Sequence, residues 1–264
     1  MLVMLTKNRD QLDREAARMI ASAVRREPSL TLGLATGSTM LGVYAELARM
    51  HREEGLDFSQ VVTFNLDEYV GIAGDHPQSF RFFMQQNLFR HINVNPANIH
   101  IPDGTVRGDY DEYCAAYEAS IRRAGGIDLQ MLGIGRNGHI GFNEPASSLG
   151  SRTRLKALTR ETLEDNRKFF SSHDEMPKCA ITVGIGTILE ARRIVLLADT
   201  SAKANAIARA IEGPITASVT ASALQLHPDV TFIVSEEAAV GLAQKDYYRH
   251  VLEVTAEFTP NRLW

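Results

Sequence analysis

Short apolar runs alternate with helical patterns along most of this chain, and that alternation leaves few architectures open. Leu30–Ala35, Val61–Asn65, Leu129–Leu132, Cys179–Val183, Arg193–Ala198 and Val230–Val234 are too short for helices and apolar enough for buried strands. Between them lie helical patterns. Asp10 to Val24 carries Leu12, Ala16, Met19, Ile20 and Val24 at helical spacing, and Pro28 ends it. Further helices are expected through Leu41, Tyr44, Leu47 and Met50, over Phe80 to Phe89 and over Tyr110 to Ala124. Others are expected to start at Thr159–Thr162, Gly184–Thr187, Thr200–Lys203 and Glu236. Strands alternating with helices predict an α/β fold: a mainly parallel sheet with helices on both faces. No repeat, low-complexity tract or long linker interrupts the pattern, so residues 1–264 are read as one domain, with a mobile lid over 152–177.

Composition narrows the function classes. A net charge of −4 argues against general nucleic-acid binding, which needs a basic face, but leaves room for a local phosphate pocket. Two cysteines, Cys114 and Cys179, make no disulfide framework, which favours a reducing compartment. The N-terminus has no basic region before a long apolar run, and no stretch reads as a membrane span. The expected location is therefore cytoplasmic.

Chemistry concentrates after the run at Leu129. Glycines at 133, 135, 138 and 141 break the strand into a loop that holds Asn137, His139 and Glu144. In open α/β sheets, ligands bind beyond the carboxyl ends of strands. The residues fit either a base and a carboxylate at such an end or a tight crossing with solvated side chains. Thr36-Gly37-Ser38-Thr39 leads from a strand into a helix, where free N–H groups and the dipole suit a phosphate. Alternatively, Ser38 or Thr39 only caps that helix. Asp67 and Glu68, at the exit of another strand, are acid/base candidates or part of a solvated turn. Lys203 opposes the dipole at a helix start, so it points to solvent or meets an anion. A basic run follows Pro145: Arg152, Arg154, Lys156, Arg160, Arg167 and Lys168.

Three segments together resemble the glucosamine-6-phosphate deaminase family: Leu34–Thr39, Val61–Gly71 and His139–Ser148, the last containing His-Ile-Gly-Phe-Asn-Glu-Pro. The likeness continues through Ser151–Lys156 and Leu224–Pro228. It implies a modified Rossmann-like fold and conversion of glucosamine 6-phosphate and water into fructose 6-phosphate and ammonium, with no metal or organic cofactor. It also implies roles: His139 as ring-opening base, Glu144 as its supporting carboxylate and Asp67 as the base at C2. Thr36, Gly37, Ser38 and Thr39 would cradle the phosphate, with Lys203 as the family's phosphate lysine. Some relatives have Asp at Asn137 and a phosphate-binding Arg where this chain has Lys168, preceded by Arg167. An Asn137 oxygen can accept the imidazole N–H and fix its tautomer without adding charge. Ser148, Arg154 and Lys156 resemble positions that bind N-acetylglucosamine 6-phosphate between subunits of allosteric hexamers, although monomeric members carry similar residues. A homo-oligomer is thus one expectation. Two other functions fit the fold: a 6-phosphogluconolactonase-like hydrolase, which needs no base at C2, and a non-catalytic sugar-phosphate sensor.

Overall fold

The computed structural model describes residues 1–166, 170 and 176–258. The chain opens with β1 (Leu2–Thr6), α1 (Arg9–Arg26), β2 (Thr31–Leu34), α2 (Leu41–Glu54) and β3 (Val62–Asn65). The elements β4 (Asp67–Tyr69), α3 (Phe80–Asn87), β5 (Ile99–His100), α4 (Tyr110–Arg123) and β6 (Leu129–Gly133) follow. Next come β7 (Arg154–Ala157), α5 (Arg160–Asn166), β8 (Cys179–Thr182), α6 (Ile185–Leu189) and β9 (Arg193–Ala198). The last are α7 (Ala204–Ile211), β10 (Val230–Ser235) and α8 (Lys245–Phe258).

Seven strands pair in parallel in the order β1-β10-β9-β6-β2-β3-β5. Strands β2 and β10 are buried along their whole length, as expected of parallel strands covered on both faces. On one face, Tyr117 of α4 stands edge-on to Phe64 of β3, their ring centroids 5.8 Å apart. Side-chain oxygens cap several helices: Asn8 accepts from Gln11 N–H, Ser79 from Phe82 N–H and Asp109 from Asp111 N–H. From β2 the strand order runs one way, and from β6 it runs the other. The crevice between their carboxyl ends is the switch point where such sheets bind ligands.

A second sheet, β4-β8-β7, is antiparallel and sits at that crevice. Leu66 makes the transfer between sheets. Its N–H donates to Leu34 O in the main sheet (3.1 Å), and its carbonyl accepts from Val183 N–H (2.7 Å) beside the second. A small apolar cluster of Tyr69, Ile72, Phe142, Leu158 and Ala180 backs the second sheet, with Phe80 packed on it. Tyr69 meets Phe80 at 4.7 Å and Phe142 at 5.5 Å between ring centroids.

Several local expectations are corrected. No helix starts at Glu236. Residues 236–240 form turns in which Ser235 Oγ accepts from Ala238 N–H (3.2 Å), and Gly241 lies against Ala204 O of α7. The final helix instead begins at Lys245, where Glu212 accepts the N–H groups of Ala243 and Gln244. Leu2–Thr6 is a strand, and the basic stretch Arg154–Ala157 is a strand rather than an irregular excursion. Cys179–Thr182 belongs to the antiparallel sheet.

Candidate active site

The loop after β6 is shaped around an imidazole. Gly138 takes φ 88 and its N–H donates to Gly135 O (3.0 Å), closing a tight turn. Gly135 lies directly under His139: a methyl group there would stand 2.3 Å from the ring. His139 Nδ1 lies 3.2 Å from Glu144 Oε2. The Glu144 side chain is sealed at 1% exposure, whereas His139 keeps 21% and so presents its other nitrogen outward. With Nδ1 facing a carboxylate, Nε2 is the atom placed to exchange protons.

Glu144 is held by four groups. Thr159 Oγ1 donates to Oε1 at 3.2 Å, and Thr162 Oγ1 donates to the same oxygen. Asn137 Nδ2 donates to Oε2 at 3.0 Å, beside His139. Burial pushes the Glu144 carboxyl up, but His139 and these donors outweigh it and bring the carboxyl down to about 2. The residue is therefore ionised at neutral pH. Asn137 acts differently from the sequence expectation. Its oxygen accepts the backbone N–H of His139 (3.1 Å) and its amide serves Glu144, so it orients the carboxylate rather than the imidazole.

Two adjacent carboxylates on β4 have different environments. Glu68 accepts N–H groups from Tyr69, Phe80 and Arg81, each at 2.9 Å, and anchors the first turn of α3. Asp67 is buried on the opposite side of the strand, and among the described residues no cation pairs with it. Burial, with Glu68 adding repulsion, pushes its carboxyl up to about 8. Asp67 faces the His139 loop: a methyl group on Gly141 would stand 3.4 Å from Asp67 Oδ2. The structure thus excludes a solvated turn at Asp67 and Glu68 and separates their environments.

The Thr36–Thr39 turn bends at Gly37, whose φ is 107, and Ser38–Met40 then forms a 3-10 turn ahead of α2. Neither Ser38 nor Thr39 caps α2 with its side chain. Thr39 Oγ1 donates instead to Asp199 Oδ1 (2.9 Å), at the end of β9. Lys203 is the N-cap residue of α7, and its Nζ reaches Thr39 Oγ1 at 2.6 Å and Asp199 Oδ1 at 2.7 Å. The lysine therefore meets an anion and lies against the proposed phosphate turn. Asp199 is buried, which raises its carboxyl. Lys203, Thr39 and Arg9 reverse this, holding it below the usual range.

A match to a family model, described as glucosamine-6-phosphate isomerases/6-phosphogluconolactonase, spans residues 6–231. The chain belongs to that family. A glucosamine-6-phosphate deaminase of Hahella chejuensis is 53% identical over 255 residues, covering 97% of each chain. Another, of Thermoanaerobacter pseudethanolicus, is 48% identical over 246 residues, covering 93% of this chain and 97% of that one. A solved monomeric glucosamine-6-phosphate deaminase superposes with a TM-score of 0.89 at 44% identity, covering 91% of this chain and 100% of that one. A 6-phosphogluconolactonase from Trypanosoma brucei superposes with a TM-score of 0.71 at 20% identity, covering 92% and 98%; this likeness shows the shared fold.

Of the effector-like residues, Ser148 is exposed and its hydroxyl accepts from Gly150 N–H (3.3 Å). Arg154 and Lys156 are half-buried on one face of β7. Arg154 turns inward and donates to Asn143 Oδ1 at 2.9 Å. Lys168 and Arg167 lie outside the described residues. Among the described residues, no helix is long and apolar enough to cross a membrane. Sequence reasoning missed Arg9, which donates to Ser38 O and pairs with Asp199 Oδ2 at 3.0 Å. It also missed Thr159 and Thr162 as partners of Glu144. No spacing rule joins Arg9 to Ser38 across 29 residues, so the sequence carried no signal for that contact.

Proposed function

We infer that this protein converts glucosamine 6-phosphate and water into fructose 6-phosphate and ammonium. The observation that carries the reading is Asp67, a buried carboxyl with no cation partner among the described residues, which faces the loop bearing His139 and Glu144. Lactone hydrolysis needs no base of this kind, whereas moving a proton from C2 to C1 does.

In the proposed sequence, His139 takes the O1 proton of the closed pyranose and returns a proton to the ring oxygen, which opens the ring. Glu144 keeps the imidazole oriented throughout. Asp67 then removes the C2 proton. As O1 takes a proton from the C2 ammonium, the electron pair forms the C1–C2 double bond of a neutral enolamine, and Asp67 now carries the former C2 proton for delivery to C1. Reprotonation at C1 gives the iminium of the ketose; water adds at C2, and ammonia leaves. Asp67 takes up its charge only around pH 8 in the unliganded protein. The substrate's ammonium at C2 favours the charged form and so prepares the base when it binds. Thr36–Thr39 and Lys203 hold the phosphate, and Arg9 steadies their arrangement.

We assign residues 1–264 to one catalytic unit acting in amino-sugar breakdown in the cytoplasm. The lid expected over 152–177 lies partly outside the described residues; within them, Thr159 and Thr162 at the start of α5 bind Glu144. A coupled ammonia assay on glucosamine 6-phosphate tests the function. Stoichiometric ammonia and fructose 6-phosphate are expected; hydrolysis of 6-phosphogluconolactone without ammonia release would overturn the reading.

A further inference from the structure

Asn143 is completely buried and joins four segments. Its Nδ2 donates to Ile140 O in the catalytic loop and to Val183 O just after β8, both at 2.9 Å. Its carbonyl accepts from Thr220 Oγ1 at 2.7 Å, and its Oδ1 accepts from Arg154 Nη1 at 2.9 Å. Val183 N–H in turn donates to Leu66 O, one residue before Asp67. Phe142 N–H adds a second tie, donating to Thr182 Oγ1 at 3.0 Å. The half of the site bearing His139 and Glu144 is thus joined to the half bearing Asp67 through the Asn143 amide, with the Phe142–Thr182 bond beside it.

Arg154 completes that amide's bonding. The carbonyls of Ile140 and Val183 can only accept, so they hold the Nδ2 end, and the guanidinium satisfies the buried Oδ1 at the other end. Among the described residues, Arg154 has no carboxylate partner. Nη1 also donates to Arg152 O (3.2 Å), while Nη2 is buried without a hydrogen-bond partner. A cation held this way is well placed as an internal strut.

We propose that Arg154, acting through Asn143, is a positioning residue that sets the spacing between Asp67 and the His139–Glu144 pair. The inference rests on the catalytic assignment above. Reaction geometry is sensitive to displacements of about 1 Å, so loss of the strut lowers turnover more than binding. Arg154→Met is expected to reduce kcat roughly 10–100-fold with KM nearly unchanged, in the absence of any effector. Arg154→Lys, which keeps a charge and a donor, should recover part of the loss. Because the arginine acts through Asn143, Arg154→Met combined with Asn143→Ala should be no worse than Asn143→Ala alone. Wild-type kcat in Arg154→Met, with only a response to N-acetylglucosamine 6-phosphate lost, would overturn the proposal. So would fully multiplicative losses in the double variant. An Asp67→Asn control separates the two readings: if it stays active, the catalytic assignment fails; if it is dead while Arg154→Met is normal, only the strut fails.

Discussion

At the scale of single residues, the contrast between Asp67 and Glu68 decides the chemistry. Glu68 spends its oxygens on three backbone N–H groups, whereas Asp67 keeps its carboxylate facing the His139 loop. Asp67→Asn preserves size and removes the base, so kcat should fall about 10²–10⁴-fold while substrate still binds. Equilibrium binding beside steady-state kinetics checks this, and near-normal turnover would pass the role to another group. The sequence made His139 and Glu144 legible because both lie on one glycine-rich loop. The residue pattern alone could not separate Asp67 from Glu68, and only the family resemblance did, because adjacent residues on a strand face opposite sides and tertiary packing decides which side holds the substrate. Asn143 was invisible as a hub for the same reason: its partners come from segments remote in the chain.

At the scale of elements, the long apolar strands were legible because burial on both faces leaves a continuous hydrophobic run. Strands β4 and β7 were not, since Asp67-Glu68-Tyr69 and Arg154-Leu155-Lys156-Ala157 are charged and short. Their pairing comes from β8 rather than from their own composition. The Thr36–Thr39 turn illustrates the same limit. Its backbone was legible, but the ion pairs beneath it join α1, β9 and α7. Lys203 touches Thr39 directly, while Arg9 acts through Ser38 O and Asp199. Lys203→Ala should therefore raise KM for glucosamine 6-phosphate strongly, and Arg9→Ala should raise it several-fold less. Neither should change the response to unphosphorylated glucosamine. Competition by inorganic phosphate provides the check: equal losses for both sugars would make these residues structural supports rather than parts of a phosphate site.

At the scale of the whole molecule, the site leaves a signature in stability against pH. Glu144 is held at about 2, below its ordinary 4.5. A depressed carboxyl contributes stability that is present above its ordinary value and lost as pH falls toward its folded value. Asp67 has the opposite sign, with a folded value of about 8 against an ordinary 3.8. Between those values the folded protein binds more protons than the unfolded chain, so stability declines as pH rises. The base proposed for the reaction is therefore a cost to the fold near neutral pH. Asp67→Asn removes the titration and should flatten that decline. The gap in Tm between variant and wild type should be small near pH 5, widen up to about pH 8, and then level off. A gain on the order of a few kcal/mol corresponds to about 2–4 °C for each kcal/mol in a protein of this size. Thermal unfolding of both proteins across pH 5–9 measures it. The widening carries the argument, since a constant offset could come from the amide's own hydrogen bonds. A gap that does not change with pH would mean that Asp67 is ionised in the folded protein throughout, and the raised carboxyl assigned to it would have to be abandoned.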